Sequence, residues 1–88
     1  MVLNYAPNFV RSFNSLETDL QEEVLEKVEL FKDSKNHKQL KVHKLKGRLK
    51  DRYSFSINYK TRIVFRYISK NKKEIAFIAI GNHDVYKN

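Results

Sequence analysis

His37, His43 and His83, the arginines Arg62 and Arg66, and a tyrosine close to the C-terminal end, Tyr86, are the residues of this chain best equipped for chemistry. An imidazole ordinarily titrates near neutrality and so can take or give a proton. A guanidinium holds an anionic group through two parallel hydrogen bonds. The sequence has no cysteine, which excludes a thiolate nucleophile, a disulfide framework and cysteine-ligated zinc. The three histidines are scattered and lack His-Glu-x-x-His spacing, so no metal site is expected. No cofactor is expected either.

Arg62, Arg66, His83 and Tyr86 must be positioned by the stretch from Tyr53 to Tyr86. Tyr53-Ser54-Phe55-Ser56-Ile57-Asn58 alternates apolar and polar at the period of a half-buried strand. Residues Thr61 to Ile68 form a second β-branched and aromatic run. Strand geometry puts Arg62, Val64 and Arg66 on one face and Ile63, Phe65 and Tyr67 on the other. Glu74 to Ile80 ends in six apolar residues, the pattern of a strand covered on both faces. Gly81 closes that strand, and His83 and Tyr86 follow at its exit.

Upstream elements read as support. Val2 to Tyr5 is a short strand, stopped by Pro7, which suits the first position of a helix. Phe9, Val10, Phe13 and Leu16 fall on one helical face, and Asn14-Ser15 interrupts the pattern. Thr18 and Gln21 have the spacing of a capping box for a second helix running to about Lys32. Its stripe is Leu20, Val24, Val28 and Phe31, flanked by Leu25, with Glu22, Glu23, Glu26 and Glu29 directed outward. Asp33 to Gln39 reads as a loop with at most one helical turn, and His37 as a loop residue. From Leu40 to Arg52 the chain is basic, with Lys41, Lys44, Lys46, Arg48, Lys50 and Arg52 interleaved with Leu40, Val42, Leu45 and Leu49. Gly47 supplies a turn. The regular apolar positions attach this ridge to the core, whereas a bare charge run would be disordered. The expectation is one α+β domain over residues 1–88: a small, twisted, mostly antiparallel sheet in β-α-α-β-β-β order. A two-helix hairpin covers one face, and the opposite face is basic and concave.

The net charge of +8 is unevenly placed. Residues 1–36 carry four Lys/Arg against seven Asp/Glu, net −3, and residues 37–88 carry fourteen against three, net +11. Such asymmetry points to a polyanionic partner, most simply nucleic acid; the alternatives are a basic surface kept for solubility or an acidic protein partner. The longest apolar run, Ile75 to Ile80, is too short to span a bilayer. Met1-Val2-Leu3-Asn4-Tyr5 lacks the pattern of a signal peptide. A cytoplasmic protein with no membrane association is the expectation.

With His43-Lys44-Leu45-Lys46-Gly47, Tyr53-Ser54-Phe55-Ser56-Ile57, Thr61-Arg62-Ile63-Val64-Phe65 and Ile80-Gly81-Asn82-His83-Asp84-Val85-Tyr86 in order, nearly the whole chain resembles the RelE/ParE superfamily of toxins from bacterial toxin–antitoxin pairs. The resemblance implies a ribosome-dependent endoribonuclease that cuts mRNA, as in the RelE and YafQ branches. The alternative it leaves open is a ParE-like toxin that inhibits DNA gyrase and cuts nothing. It further implies an acidic cognate antitoxin that folds on binding. The pair of lysines that the RelE branch places on its second strand has no match, since Tyr53 and Phe55 stand at about those positions. The second-strand histidine of the YafQ branch, and the acidic and tryptophan residues after it, are missing as well.

By this resemblance Arg62, His83, Tyr86 and His43 are the catalytic candidates. RNA cleavage without a metal needs a base, a cation at the phosphorane and an acid for the leaving oxygen. His83 would act as base or acid, or else caps the last strand. Arg62 would clamp the phosphate, or else forms a cross-strand ion pair. Tyr86 would stack on a base or orient the substrate, or else plugs the core. His43 is a second acid/base candidate, or a surface histidine in a basic loop. Asp84 caps the terminal turn or orients His83. Lys44, Lys46, Arg48, Lys50, Arg52 and Arg66 would hold backbone phosphates.

Overall fold

A computed structural model describes residues 1–47, 51–82 and 85. Its strands are β1 (Val2–Tyr5), β2 (His43–Lys44), β3 (Tyr53–Ser56), β4 (Arg62–Tyr67) and β5 (Glu74–Gly81). Its helices are α1 (Pro7–Asn14) and α2 (Thr18–Phe31), and a 3-10 turn spans Ser34–Asn36. The strands form one sheet in the order β1-β5-β4-β3-β2, with β1 parallel to β5 and every other pair antiparallel. This is the expected α+β, mostly antiparallel architecture with one addition, the two-residue β2 within the basic ridge. Among the described residues no helix is long and apolar enough to cross a membrane.

Pro7 opens α1, where its missing N–H is no loss. The capping box is not formed. The N-cap of α2 is Glu17, which places Thr18 inside the first turn, and no side chain caps that end. Gln21 instead donates its Nε2–H to the Phe13 carbonyl at 2.9 Å, tying the end of α1 to the start of α2. Val24, Val28 and Phe31 are buried as the stripe predicts. Leu25 and Val10 are not: they are 56% and 42% exposed, because each lies at the margin of its helix's inward face. Glu23 also departs from its outward expectation, being half-buried and bonded to the sheet.

The core lies between the helices and one sheet face. Phe31, Phe55, Phe65 and Phe77 are fully buried at its centre. The rings of Phe31 and Phe55 stack at 4.5 Å, and Phe31 meets Phe65 edge-on at 4.9 Å. Each such side chain stabilises the fold by roughly 1.5–3 kcal/mol through area removed from water. The unbroken apolar run of β5 has a different cause from the expected cover on both faces. Val64 pairs with Ala79 but Phe65 pairs with Phe77, so Ile78 is the extra residue of a β-bulge. The bulge reverses the alternation. Ile75 and Phe77 face the core before it and Ile80 after it, while Ile78 and Ala79 stay half-buried.

Candidate functional site

Residues paired across antiparallel strands share a face, so the register defines what the helix-free side of the sheet carries. His43, Ser54, Val64 and Ala79 form one row across four strands. Ser56, Arg62 and Gly81 form the next row, and Arg66 pairs with Ala76 further along β4. The structure thus places Arg62, Arg66 and His43 on one face. Strand spacing and rise put the Cα atoms of His43 and Arg62 roughly 12 Å apart, a gap that the two side chains and one phosphodiester can span. Arg66 is exposed and Arg62 half-buried. Among the described residues neither forms an ion pair, so the cross-strand pairing weighed for Arg62 is not made there.

Arg62 is held by backbone. Its Nη1 donates to the carbonyl of Asn58 and to that of Thr61. Asn58 organises this β3–β4 turn, its Oδ1 accepting from the amides of Lys60 at 2.9 Å and Thr61 at 2.8 Å. Its Nδ2 donates to Glu23 Oε1 of α2 at 3.0 Å. The sequence expectations do not include this positioning role of Asn58. The available signal was an asparagine opening a four-residue turn between two strand patterns, where its side chain bonds backbone amides ahead of it.

His43 is exposed, and its Nδ1 lies 2.8 Å from the Lys41 carbonyl. A carbonyl only accepts, so Nδ1 carries the hydrogen and the neutral ring keeps its lone pair on Nε2. That tautomer is the one needed for a base. His37 differs: its Nε2 donates to the Phe31 carbonyl at 2.8 Å and its ring stacks on Phe31 at 4.6 Å. It pins the loop to the core.

The basic segment is an edge hairpin. Leu40 O accepts from Ser56 N at 2.8 Å and Leu45 N donates to Arg52 O at 2.9 Å, on either side of the β2–β3 pairing. Leu40 and Leu45 are buried as anchors. Gly47 has φ +73, a conformation that favours glycine, so it makes the turn expected of it. The ridge is not one surface, however. Lys44 pairs with Tyr53, which puts it on the helix side of the sheet, opposite His43. Lys46 is exposed. Arg52 is paired at 2.6 Å with Asp51, which offsets its charge. Arg48, Lys50, His83, Asp84 and Tyr86 lie outside the described residues. Gly81 is the cross-strand partner of Arg62, and Val85, whose amide bonds Asn82 O at 2.9 Å, lies against it.

Burial pushes the Tyr67 phenol above its ordinary value, with the neighbouring Tyr53 adding to the effect. Tyr67 is therefore neutral wherever ordinary tyrosines are. Among the described residues no group of three or more His, Asp or Glu is placed to hold a metal ion.

No family model and no curated protein matches the sequence. Solved structures do. The YoeB-YefM complex from Staphylococcus aureus contains a chain that superposes with a TM-score of 0.71 at 18% identity, over 94% of this chain and 97% of that one. A chain of the intact E. coli RelBE toxin-antitoxin complex gives 0.69 at 20% identity, over 92% and 94%. The YoeB/ParE toxin from Agrobacterium tumefaciens gives 0.69 at 17%, over 94% and 99%. Identities this low speak for architecture alone, and that architecture is shared nearly end to end: the chain has the fold of the Agrobacterium YoeB/ParE toxin and of the matching chains in the other two structures.

Proposed function

We propose that this chain is the toxin of a type II toxin–antitoxin pair, an endoribonuclease that cleaves mRNA on the ribosome. The observation that carries the reading is the helix-free face, where Arg62, without a carboxylate partner among the described residues, lies one row from a histidine whose Nε2 is available. His43 Nε2 takes the proton of the 2′-hydroxyl, and the 2′-oxygen attacks the adjacent phosphorus. Arg62 stabilises the charge that builds on the phosphorane oxygens. The bond to the 5′-oxygen breaks, and His83 supplies the proton to that leaving group. The products are a 2′,3′-cyclic phosphate and a 5′-hydroxyl. Tyr86 stacks on a base beside the scissile bond. Arg66 and Lys46, together with Arg48 and Lys50, hold neighbouring phosphates, and Lys44 contacts RNA only from the sheet edge.

The partner follows from charge. The basic half carries +11, which an acidic antitoxin neutralises, folding as it binds; a chain of similar fold occurs in the E. coli RelBE toxin-antitoxin complex. The test is primer extension on mRNA from cells briefly expressing the protein, with and without the adjacent small open reading frame. New cuts within codons, relieved by co-expression, are expected. Growth arrest with intact mRNA would turn the reading to ParE-like inhibition of gyrase, and harmless expression of a folded protein would end the toxin reading.

A further inference from the structure

Beside the His43 row, the loop before β2 and the β3–β4 turn enclose a cleft of about 240 Å³. Lys27, Lys41, Ser56, Asn58, Tyr59 and Arg62 line it. Three of these are cations, and no carboxylate is among the described lining residues. Two acids of α2 contact lining residues: Glu23 accepts from Asn58 Nδ2 at 3.0 Å, and Glu26 lies 3.6 Å from Lys27 Nζ.

Two features of this cleft are not demanded by the fold. Lys41 has φ +60, a left-handed conformation unfavourable to any residue with a β-carbon. Its backbone is held there on both sides, the amide donating to Lys38 O at 3.1 Å and the carbonyl accepting from His43 Nδ1 at 2.8 Å. Glycine or asparagine would make that turn with less strain, yet the position carries a long cation, and such strain gathers at functional sites. Tyr59 stands at the tip of the turn, 81% exposed. A turn tip needs no aromatic ring, and among the described residues the ring interaction this one makes is with the Lys60 ammonium, 5.9 Å from its centroid.

An extended nucleic-acid strand offers one phosphate and one flat base face per residue. Cations lining a groove with an exposed ring at its lip are the complement of that pattern. We infer that this cleft seats one nucleotide of single-stranded RNA, its phosphodiester between Lys41, Lys27 and Arg62 and its base stacked on Tyr59. The Ser56 hydroxyl, which makes no hydrogen bond to a described residue, donates to the same phosphate. Stacking on a ring face accepts any base, so this subsite sets the path of the strand and not its sequence. The inference deepens the RNA-directed reading above and rests on it, since Arg62 is common to both.

The experiment titrates the full-length, isotope-labelled protein with a single-stranded RNA trinucleotide and follows the backbone amides of Lys41, Ser56, Asn58 and Tyr59. Saturable shifts at these positions are expected. Tyr59→Ala should weaken binding roughly five- to a hundredfold, the range for one base–aromatic stack, and Tyr59→Phe should leave it unchanged. Lys41→Gly removes the cation while suiting the backbone, so weaker binding in that variant is not a folding defect. Inorganic phosphate should shift the same amides through Lys41 but not depend on Tyr59. Shifts confined to other residues, affinity unchanged in both Tyr59→Ala and Lys41→Gly, or tighter occupation of the cleft by an acidic peptide would overturn the inference. Cleavage of mRNA, scored separately, distinguishes the two readings. Intact cleavage without binding here sinks this inference alone, and binding here without cleavage supports it while sinking the nuclease.

Discussion

Asn58 of the β3–β4 turn and Glu23 of α2 meet at 3.0 Å, Nδ2 to Oε1, across 35 positions of the chain. The same asparagine accepts two amides of its own turn through Oδ1 and takes the Arg62 guanidinium on its carbonyl. One residue therefore couples the two layers, its side chain reaching the helix and its main-chain carbonyl holding the cation of the opposite sheet face.

Asn58→Ala removes the cross-layer bond and both turn bonds, leaving the half-buried Glu23 carboxylate and the amide of the buried Thr61 unmatched. It should lower unfolding free energy by about 1–3 kcal/mol. The urea midpoint should fall while the slope stays unchanged. RNA cleavage should fall beyond the loss of folded protein, because the turn whose main-chain carbonyls anchor Arg62 is no longer held by the Asn58 side chain. Glu23→Gln keeps an acceptor for Nδ2 and should change little.

Arg62 is half-buried and no core contact depends on it, so its replacement should leave the circular dichroism spectrum and melting temperature close to those of the parent. Cleavage by Arg62→Ala should fall roughly a hundred- to a thousandfold, the usual loss for one preorganised charge-stabilising donor. Arg62→Lys should recover part of it, since an ammonium cannot reproduce the planar fork.

The Nδ1–H to Lys41 carbonyl bond makes His43→Asn the informative change, because an amide nitrogen can keep that bond without supplying a base. A loss of roughly a hundredfold to ten-thousandfold is expected in His43→Asn and likewise in His83→Ala. Each should also remove one limb of the pH–rate profile. A chelator should leave the rate of the parent unchanged. Full activity in His43→Asn would reassign proton abstraction to His83 or to the ribosome.

Tyr67 gives a pH dependence of stability. Its phenol is raised above the ordinary value of 10.0, first by burial and then by Tyr53. Between that ordinary value and the raised one, the unfolded chain binds fewer protons than the folded one, so stability falls as pH rises. Below the ordinary value the contribution is fully present. Urea midpoints from pH 8 to 11 should decline less steeply at the alkaline end in Tyr67→Phe than in the parent. Parallel curves would show that the phenol is not held neutral by the fold.

The alternation of Ile63, Phe65 and Tyr67 against Arg62, Val64 and Arg66 was legible in the residues alone, as was the stripe Val24, Val28 and Phe31. Both are periodicities of a single element, and burial of one face is enough to select them. The layout of helices and strands followed from those periods together with Pro7, Gly47 and Gly81. Other features depended on pairing between distant segments. The bulge at Ile78 inverts the parity of β5 so that Ile80 joins the core, and an unbroken apolar run conceals it. Pairing with β3 makes an edge strand of two residues in a basic ridge, which sends Lys44 and His43 to opposite faces. Asp51 neutralises Arg52, and the turn carbonyl of Asn58 fixes Arg62. Side-chain period is local, whereas register and the partners of a guanidinium are set only when strands far apart in the chain come together, and that step belongs to the tertiary structure.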